Sequence, residues 1–297
     1  MNILIIGGHG FLGSQLKADL HKALSSAKIY ISSEREELSG GDTIYVDYGK
    51  LSSVSELITC IKPQYIIHLA SYCMRDSSDN ALAKGKSRDD NILSALSHAS
   101  FDSKIIFVSS MAVFSMIDKD INPSRYNPQS NYGLEKLYMI KNLINFSETR
   151  QEFSFKIVYP SSIYGKGQKG VMFLPRLFDY IKNGTFMVAY GGNKKRDFIN
   201  VKDVSNILVQ LVLDYKKNSN LHIFAHSFKL FKMSEIATYV YNICNTDPQN
   251  FIVFQDSKED MERDAMEFQV ISKDHKLALV PPITINIIDG LKEMFDE

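Results

Sequence analysis

Short apolar runs alternate with helix-like segments through the first half of the chain, and this alternation constrains the fold more than any other feature. Six runs have the length and composition of strands: Ile3–Ile6, Ile29–Ile31, Thr43–Val46, Tyr65–Leu69, Ile105–Val108 and Lys156–Tyr159. They show little alternation of apolar and polar residues, as expected for strands buried on both faces of a parallel sheet. The pattern predicts a doubly wound α/β fold.

Between these runs, apolar residues recur at helical spacing. Leu12, Leu16, Leu20 and Leu24 follow one another at intervals of four, which places them on one face of a helix. Further helices are predicted over Leu51–Ile61, Ile92–Ser100, Asn131–Phe146, Phe173–Ile181, Val201–Leu213 and Met233–Ile243. We also expect a strand at His222–Ala225, a loop at Gly165–Gly170, a basic turn at Gly191–Arg196 and a solvated face at Lys258–Asp264.

The regular pattern loosens after Gly165, where we expect a smaller domain to begin. We therefore divide the chain into residues 1–165 and residues 166–297, and leave open whether segments near residues 199–228 return to the first part. The composition, with 44% apolar and 23% charged residues, is that of a globular protein. Because 34 basic residues balance 34 acidic ones, bulk charge gives no reason to expect binding to nucleic acid or membranes.

The expected cellular location of the protein follows from the lack of membrane-spanning, signal and disulfide patterns in the sequence. No run reaches the roughly 18 apolar residues of a membrane span, and the apolar start of the chain is too short for a signal peptide. Cys60, Cys73 and Cys244 form no paired motif, so we expect reduced thiols and a cytoplasmic protein. The seven histidines form no metal-binding pattern, and no metal site is expected.

The first strand is followed directly by the sequence GGHGFLG (Gly7–Gly13). Its spaced glycines allow a tight turn and the close approach of a pyrophosphate to the N-terminus of the next helix. The position between a strand and a helix favours dinucleotide binding over an ordinary turn. The predicted cofactor-binding residues of this segment are Gly7, Gly10, Phe11, Leu12 and Gly13.

The end of the second strand bears on the choice of dinucleotide. Ser33 stands where an acidic residue would bind the ribose 2′-hydroxyl of NAD, and an arginine such as Arg35 suits the 2′-phosphate of NADP. We therefore predict NADP, with Ser33 and Arg35 in its site. NAD stays the alternative because Glu34 lies between them.

Two more strand ends are expected to face the cofactor. Asp47 follows the third strand, where its carboxylate would accept a hydrogen bond from the adenine amino group, although a turn or helix-capping role is equally open. After the fourth strand, the backbone of Leu69, Ala70 and Ser71 is expected to line the cofactor.

The strongest candidates for chemistry are Tyr132 and Lys136, which lie one turn apart on one helix face. The cation is expected to lower the phenol pKa from about 10, so that the tyrosine transfers a proton to or from a substrate oxygen. Ser110, at the end of the fifth strand, is expected to hold the same oxygen.

With these motifs, the chain resembles the extended short-chain dehydrogenases/reductases of the NAD-dependent epimerase/dehydratase family, which act on nucleotide sugars. The resemblance covers most of the chain. It implies a Rossmann-type doubly wound parallel sheet with a smaller mixed α/β C-terminal substrate domain. The matching segments are GGHGFLG (Gly7–Gly13), HLAS (His68–Ser71), Asn91 opening a helix, VSSMAVF (Val108–Phe114), YGLEK (Tyr132–Lys136), PSSIYG (Pro160–Gly165) and RDFINVKDV (Arg196–Val204).

The resemblance also implies roles for individual residues. Ser110, Tyr132 and Lys136 correspond to the family's catalytic triad, and Ser110 would also contact the substrate. Ser162 takes the place of a substrate-binding asparagine. Arg196 would bind the substrate diphosphate, for which a guanidinium is suited. The implied cofactor contacts also include Tyr132, Lys136 and Pro160.

The chain departs from the family pattern at several positions. Where this chain has Met111 and Ala112, dehydratases of the family carry Asp-Glu. Fucose-synthase-like epimerases carry a cysteine at the position of Met111. A thioether transfers no proton, so dehydration and epimerisation at C3 and C5 are disfavoured. An arginine common at Tyr159 is missing, and the Asn-x-Gly-x-Gly turn reads Phe224-Ala-His-Ser-Phe228, which leaves the sugar and the base open.

Three functions are weighed. The first is reduction of a 4-keto nucleotide sugar with NADPH, in which Tyr132 donates the proton, Ser110 holds the carbonyl oxygen and Lys136 binds the nicotinamide ribose. The alternative is a 4-epimerase that uses the same triad and retains NAD. A non-catalytic dinucleotide-sensing protein is the third, and the complete triad disfavours it.

The resemblance further implies a homodimer, in which helices near Asn91–Ser100 and Asn131–Phe146 of two subunits form a four-helix bundle. The second helix offers more apolar residues than one stripe facing the sheet requires: Leu137, Met139, Ile140, Leu143 and Ile144. We expect a symmetry mate to bury the excess; the alternative is that these residues pack only within the subunit.

Overall fold

The computed structural model describes residues 1–114, 126–150, 153–170, 172–216, 221–246, 252–255 and 283–296. The strands in these ranges are β1 (Asn2–Ile6), β2 (Lys28–Ser33), β3 (Thr43–Tyr45), β4 (Tyr65–His68), β5 (Lys104–Val108), β6 (Ser154–Pro160), β7 (Ser162–Tyr164), β8 (Met187–Tyr190), β9 (Lys195–Asn200), β10 (His222–Ala225), β11 (Leu230–Lys232) and β12 (Ile252–Gln255). The helices are α1 (Phe11–Ala23), α2 (Leu51–Ile61), α3 (Asp79–Ser97), α4 (Asn131–Thr149), α5 (Phe173–Lys182), α6 (Val201–Leu213), α7 (Met233–Cys244) and α8 (Ile287–Phe295).

The main sheet has seven strands in the order β10-β6-β5-β4-β1-β2-β3. Every neighbouring pair in it is parallel. The strand order changes direction between β1 and β4, and ligands of such sheets bind in the crevice at the carboxyl ends of the strands at this point. The doubly wound parallel sheet predicted from the sequence is confirmed.

Helices cover both faces of the main sheet. Successive residues of a strand point to opposite faces, so Leu4 packs under α2, α3 and α4 whereas Ile5 packs under α1 and α6. The predicted stripe on α1 lies in the second of these cores, where Leu16 and Leu20 are fully buried. Burial on both faces explains why the strand sequences are apolar almost throughout.

A smaller set of strands and helices completes the described chain, as predicted. β9 is antiparallel to β11 and parallel to β7, and β12 pairs with β8. α5, α7 and α8 surround a third apolar core. β10 joins the main sheet beside β6, and α6 packs against α1. The division of the chain near residue 165 stays a prediction.

One predicted helix begins much earlier than the sequence suggested. The helix expected at Ile92–Ser100 is α3, which begins at Asp79, where the Ser78 hydroxyl accepts a hydrogen bond from the Ala81 amide at 3.2 Å. Asn91 therefore does not open a helix; it lies within α3 and donates to the carbonyl oxygen of Tyr48 at 2.7 Å. The first half of α3 is polar and shows no apolar stripe, so its helical character was missed.

The prediction that α4 has an apolar face left uncovered by its own subunit is wrong. Leu137, Met139, Ile140 and Leu143 are at most 8% exposed within the subunit, and Ile144 packs against the same core. The outer side of α3 and α4 forms instead a groove that is lined by Leu93, Phe146 and six polar side chains: Asp90, Ser94, Ser97, Asn142, Asn145 and Thr149. An uncovered apolar face of α4 therefore gives no argument for a dimer.

Three smaller expectations have different outcomes. β9 begins at Lys195, so the basic segment Gly191–Arg196 is a turn only in its first part. The charge run Lys258–Asp264 lies outside the described residues. Cys60, Cys73 and Cys244 are free, and the cytoplasmic location stays a prediction. None of the helices in the described ranges combines the length and apolar character needed to cross a bilayer.

Candidate active site

The turn between β1 and α1 has the geometry of an anion-binding turn. Gly7 has a φ of +86°, a conformation that favours glycine, and its carbonyl oxygen accepts from the Gly10 amide at 3.0 Å. A Cβ on Gly13 would lie 2.5 Å from that oxygen, so glycine is required where α1 begins. The first turn of α1 contains no acidic side chain, and its amides and dipole favour a negative charge. The turn therefore fits a pyrophosphate.

The end of β2 presents both a carboxylate and a guanidinium. Ser33 is buried, and its hydroxyl accepts from the Arg35 amide at 3.1 Å. Glu34 is exposed, and its carboxylate accepts a hydrogen bond from the Tyr72 hydroxyl. Arg35 is also exposed, and its charge adds to burial in lowering the pKa of His9 in the glycine turn. The geometry thus keeps groups suited to either ribose or 2′-phosphate.

Asp47 has its carboxylate engaged within the turn before α2. One oxygen accepts from the Gly49 amide at 3.0 Å, and the other lies 2.9 Å from Nζ of Lys50. The bond to Lys50 lowers the pKa of Asp47. This is the turn role that the sequence left open, and adenine binding by Asp47 stays a prediction.

Lys136 reaches from α4 to the carboxyl ends of β4 and β5. Its ammonium group donates to the carbonyl oxygens of Ala70 and Val108, both at 3.0 Å. The side chain is only 2% exposed, and the remaining N–H of the three can serve a ligand. Leu69 precedes this loop and is tied to β1, because its amide donates to the carbonyl oxygen of Ile6 at 2.9 Å.

The Tyr132 phenol lies close enough to the Ser110 hydroxyl for the hydroxyl to influence its pKa. Burial raises the pKa of Tyr132 above its ordinary value of 10, and the Ser110 hydroxyl acts in the opposite direction. The prediction that the neighbouring cation lowers this pKa is therefore wrong. The physical reason is that burial dominates, while Lys136 points its ammonium group at backbone carbonyls.

The predicted substrate residues lie in the smaller three-stranded sheet. Ser162 of β7 pairs with Phe198 of β9, two residues beyond Arg196. Side chains alternate along a strand, so Ser162 and Arg196 face the same side. Both are half-buried. Pro160 is buried at the end of β6, directly before this sheet.

The turn after β10 is fixed beside Met111 despite its unusual sequence. The Asp197 carboxylate accepts from the Phe228 amide at 2.9 Å and lies 3.4 Å from Nδ1 of His226. Nε2 of His226 lies 3.2 Å from the sulfur of Met111, which follows Ser110 in the chain. Phe228 has a φ of +60° without being glycine. The turn therefore keeps its position although the expected glycines are absent.

Sequence reasoning missed a group of buried titratable side chains behind Lys136. We call this group the buried ion network: His68, Arg88, Asp89 and Glu135. Each is at most 2% exposed. The only available signal was the acidic residue directly before the lysine of the Tyr-x-x-x-Lys segment. In the described part of the chain, no group of His, Cys, Asp and Glu side chains could hold a metal ion.

Comparison with known proteins identifies similar sequences and folds. A family model described as the NAD dependent epimerase/dehydratase family matches residues 3–225. The UDP-glucose 4-epimerase of Thermotoga maritima, solved with UDP-glucose, is 17% identical with a TM-score of 0.83, over 100% of this chain and 98% of that one. No curated protein matches the chain.

Two further solved structures contain NAD. The UDP-glucuronic acid 4-epimerase of Bacillus cereus, in complex with UDP-glucuronic acid and NAD, is 18% identical with a TM-score of 0.79, over 100% of this chain and 98% of that one. The dTDP-glucose 4,6-dehydratase of Bacillus anthracis, in complex with NAD, is 16% identical with a TM-score of 0.81, over 100% and 96%. At such identities the likeness to these structures shows the fold alone.

Proposed function

Because the chain belongs to the NAD-dependent epimerase/dehydratase family, we propose that it is an NAD-dependent enzyme that interconverts the C4 epimers of a nucleotide-diphosphate sugar. The observation that carries the proposal is the buried ammonium group of Lys136, which binds the carbonyl oxygens of Ala70 and Val108, on the helix that brings Tyr132 near Ser110. Two of the similar structures are 4-epimerases that hold UDP-sugars. UDP-sugars are therefore the first substrate class to test.

The proposed cofactor is NAD. The family description names NAD and two similar structures contain it, so the NADP preference expected from Ser33 and Arg35 gains no support from these comparisons. NAD, when bound, would accept a hydride from the sugar and return it. Glu34 would accept from the adenosine ribose. The other proposed contacts are Gly7, Gly10, Phe11, Leu12, Gly13, Asp47, Leu69, Ala70, Ser71 and Pro160.

The three triad residues would have separate roles in binding the substrate, transferring its proton and binding the cofactor. Ser110 would hold O4 of the sugar, and the ionised form of Tyr132 would take its proton and later give it back. Lys136 would bind the nicotinamide ribose with the donor that its two backbone contacts leave. Met111 and Ala112 offer no second acid or base, so the proposed chemistry stops at C4. Ser162 and Arg196 would bind the sugar and the diphosphate.

The proposal is tested by identifying both the dinucleotide that the protein binds and the product that it forms. The purified protein is denatured, and the released dinucleotide is identified by mass spectrometry. Native protein is then incubated with UDP-glucose, UDP-N-acetylglucosamine and UDP-glucuronic acid, and the products are analysed by NMR. We expect NAD to be released and a C4 epimer to form without net production of NADH. Absence of an epimer from every UDP-sugar and every dTDP-sugar tested would contradict the proposal.

Reduction of a 4-keto nucleotide sugar with NADPH is the second candidate, and two observations favour it. The raised pKa of Tyr132 keeps the proton on the phenol, as a proton donor requires. The exposed Arg35 lies close enough to the glycine turn to influence His9. Consumption of NADPH with a 4-keto sugar, and of little NADH, would favour this candidate over the epimerase.

Arg196→Ala should weaken nucleotide-sugar binding more than tenfold and leave NAD binding nearly unchanged. A hydrogen bond to a charged group contributes about 1.5–3 kcal/mol, which corresponds to a tenfold or larger change in Kd. Calorimetric titration with UDP and with NAD, on protein freed of bound dinucleotide, measures the two affinities. Arg176→Ala, at an exposed position of α5, is the matched control and should change neither. Equal losses for both ligands would show that Arg196 is structural.

A homodimer is proposed on the family resemblance alone, since α4 leaves none of its predicted apolar residues uncovered. Its interface would be the polar outer side of α3 and α4. Light scattering should then give twice the chain mass of 33.7 kDa. Ser94→Arg and Asn145→Arg, at the groove between the helices, should give the mass of one chain. A wild-type mass of one chain would reject the dimer.

A further inference from the structure

The buried ion network lies directly behind the catalytic helix. Nη2 of Arg88 lies 3.1 Å from Oε1 of Glu135 and 2.8 Å from Oδ1 of Asp89. The same Asp89 oxygen lies 3.0 Å from Nε2 of His68. Removing such charges from water costs free energy that their attraction does not always restore. Packing alone therefore does not explain why four polar groups occupy this part of the core.

Glu135 connects the catalytic helix to the loop after β4. One carboxylate oxygen accepts from the Tyr72 amide at 3.0 Å, and the other accepts from the Cys73 amide at 3.0 Å and from the Ser71 hydroxyl. Ser71 directly follows Ala70, whose carbonyl oxygen binds Lys136. The carboxylate thereby fixes the segment that holds the ammonium group.

α3 is shaped to accept this carboxylate. A Cβ on Gly85 would collide with the Glu135 side chain, so glycine allows the close approach of α3 to α4. Arg88 lies one turn further along α3, on the same face, and pairs with the same carboxylate. Gly85 provides the space and Arg88 provides the countercharge.

The charges of the network act on Lys136. Burial and the charge of Arg88 lower the pKa of Lys136 to about 8, whereas Glu135 and Asp89 act in the opposite direction. Although burial opposes ionisation, Arg88 holds the pKa of Glu135 and of Asp89 below their usual values. Burial and Arg88 lower the pKa of His68 to about 4, so its ring is neutral at neutral pH.

The remaining neighbours of Lys136 add no charge at neutral pH. Burial raises the pKa of Cys73 to about 11 and also raises the pKa of Tyr72 and Tyr132. From β5, the Phe107 ring lies 5.0 Å from Nζ. The titratable groups packed around Lys136 in the described chain are thus His68 of β4, Tyr72 and Cys73 of the following loop, Arg88 and Asp89 of α3, and Tyr132 and Glu135 of α4.

We propose that Arg88 and Glu135 are positioning residues for Lys136, which fix the loop that binds its ammonium group and, through their opposite charges, set its protonation in the pH range where the dinucleotide binds. The proposal rests on the proposed function in one respect, the binding of the cofactor by Lys136. Loss of the Glu135 charge should disfavour the ammonium form. Loss of the Arg88 charge should favour it.

Titration with NADH of protein that has been freed of bound dinucleotide, followed by NADH fluorescence, tests the proposal without requiring turnover. The ammonium form donates to the cofactor, so NADH affinity should fall as the pH rises through the pKa of Lys136. In Glu135→Gln, which keeps the shape and the acceptor oxygen, the midpoint of this fall should move about one pH unit lower. In the double variant with Arg88→Gln, which also removes the opposite charge, the midpoint should return towards the wild-type value. Glu148→Gln, exposed on the same helix, should leave it unchanged.

Two additional variants separate the possible failures. Lys136→Met should abolish the pH dependence; if it does not, the assignment of Lys136 to the cofactor in the proposed function is wrong. If Lys136→Met does abolish it while Glu135→Gln leaves the midpoint in place or raises it, the positioning role is overturned and the proposed function stands. Asp89→Asn removes the second carboxylate, should lower the midpoint as well, and replaces Glu135→Gln if circular dichroism shows that variant to be unfolded.

Discussion

Tyr132→Phe should lower kcat by about 10²–10⁴-fold, the usual contribution of general acid–base catalysis. The ring stays in place, so the packing of α4 is kept, and only the hydroxyl near Ser110 is lost. The KM for the nucleotide sugar and the Kd of NAD should therefore stay close to wild type. Steady-state rates and single-turnover experiments with the same sugar measure the loss.

Tyr138→Phe is the matched control for this variant. Its hydroxyl also lies on α4, but it bonds to the Asp90 carboxylate at the protein surface. The control should keep wild-type kcat. Activity of Tyr132→Phe within about threefold of wild type would show that Tyr132 is not the acid–base residue.

Glu135→Leu should reduce the free energy of unfolding by about 3–5 kcal/mol, because it leaves the buried guanidinium of Arg88 without one of its carboxylates. Denaturant unfolding measures the loss. Glu148→Leu, exposed on the same helix, should change stability by no more than about 0.5 kcal/mol. Adding Arg88→Met together with Asp89→Asn to Glu135→Leu, so that Asp89 is not left as a buried carboxylate without its cation, should recover part of the loss, since buried ion pairs can be replaced by uncharged side chains. An additive further loss would contradict this account.

The contribution of Glu135 to the free energy of unfolding should decrease as the pH falls. Although burial opposes ionisation, Arg88 lowers the pKa of Glu135 from its ordinary 4.5. The stabilisation by Glu135 is therefore fully present above the ordinary pKa of the carboxyl group. It is lost as the pH falls through the lower pKa that the group has in the folded chain. The stability difference between wild type and Glu135→Leu should accordingly shrink in acid. A difference that stays constant below about pH 4 would argue against an ionised Glu135 in the folded chain.

The sequence predicted those parts of the fold that depend on apolar pattern. α2 and α6 have the predicted bounds, Leu51–Ile61 and Val201–Leu213, because each combines an apolar stripe with a clear end. α2 stops at Lys62, which is left-handed, and α6 begins after Asn200, which caps it. Continuous apolar strands also predicted the parallel sheet.

The sequence-based predictions failed where polar residues are buried, as in α3, and where burial determines a pKa, as for Tyr132. Arg88 and Asp89 are as polar as surface residues in sequence, yet they form the interior side of α3. The length of α3 and the network behind Lys136 therefore escaped prediction. Likewise, the Tyr132 pKa depends on how deeply the phenol is enclosed, which residue spacing does not reveal.

The candidate site was predictable to the level of residue type and strand end. Ser110, Tyr132, Lys136 and Ala70 come together at the carboxyl ends of neighbouring strands, as the motifs predicted. Asp47 shows the limit of such reasoning, since its carboxylate is engaged with Gly49 and Lys50. Whether an acidic residue caps a turn or serves a ligand depends on local hydrogen bonds that one sequence does not specify.

The central claim, reversible oxidation at C4 of a nucleotide sugar, is tested most directly with a sugar that carries deuterium on C4. UDP-glucose labelled in this way is incubated with the wild-type protein, and the product is examined by NMR and mass spectrometry, followed by the other nucleotide sugars in labelled form. The account predicts a product of inverted configuration at C4 that retains the deuterium on C4. Recovery of every labelled sugar with its configuration unchanged, or a C4 epimer that has lost the label to water, would contradict it.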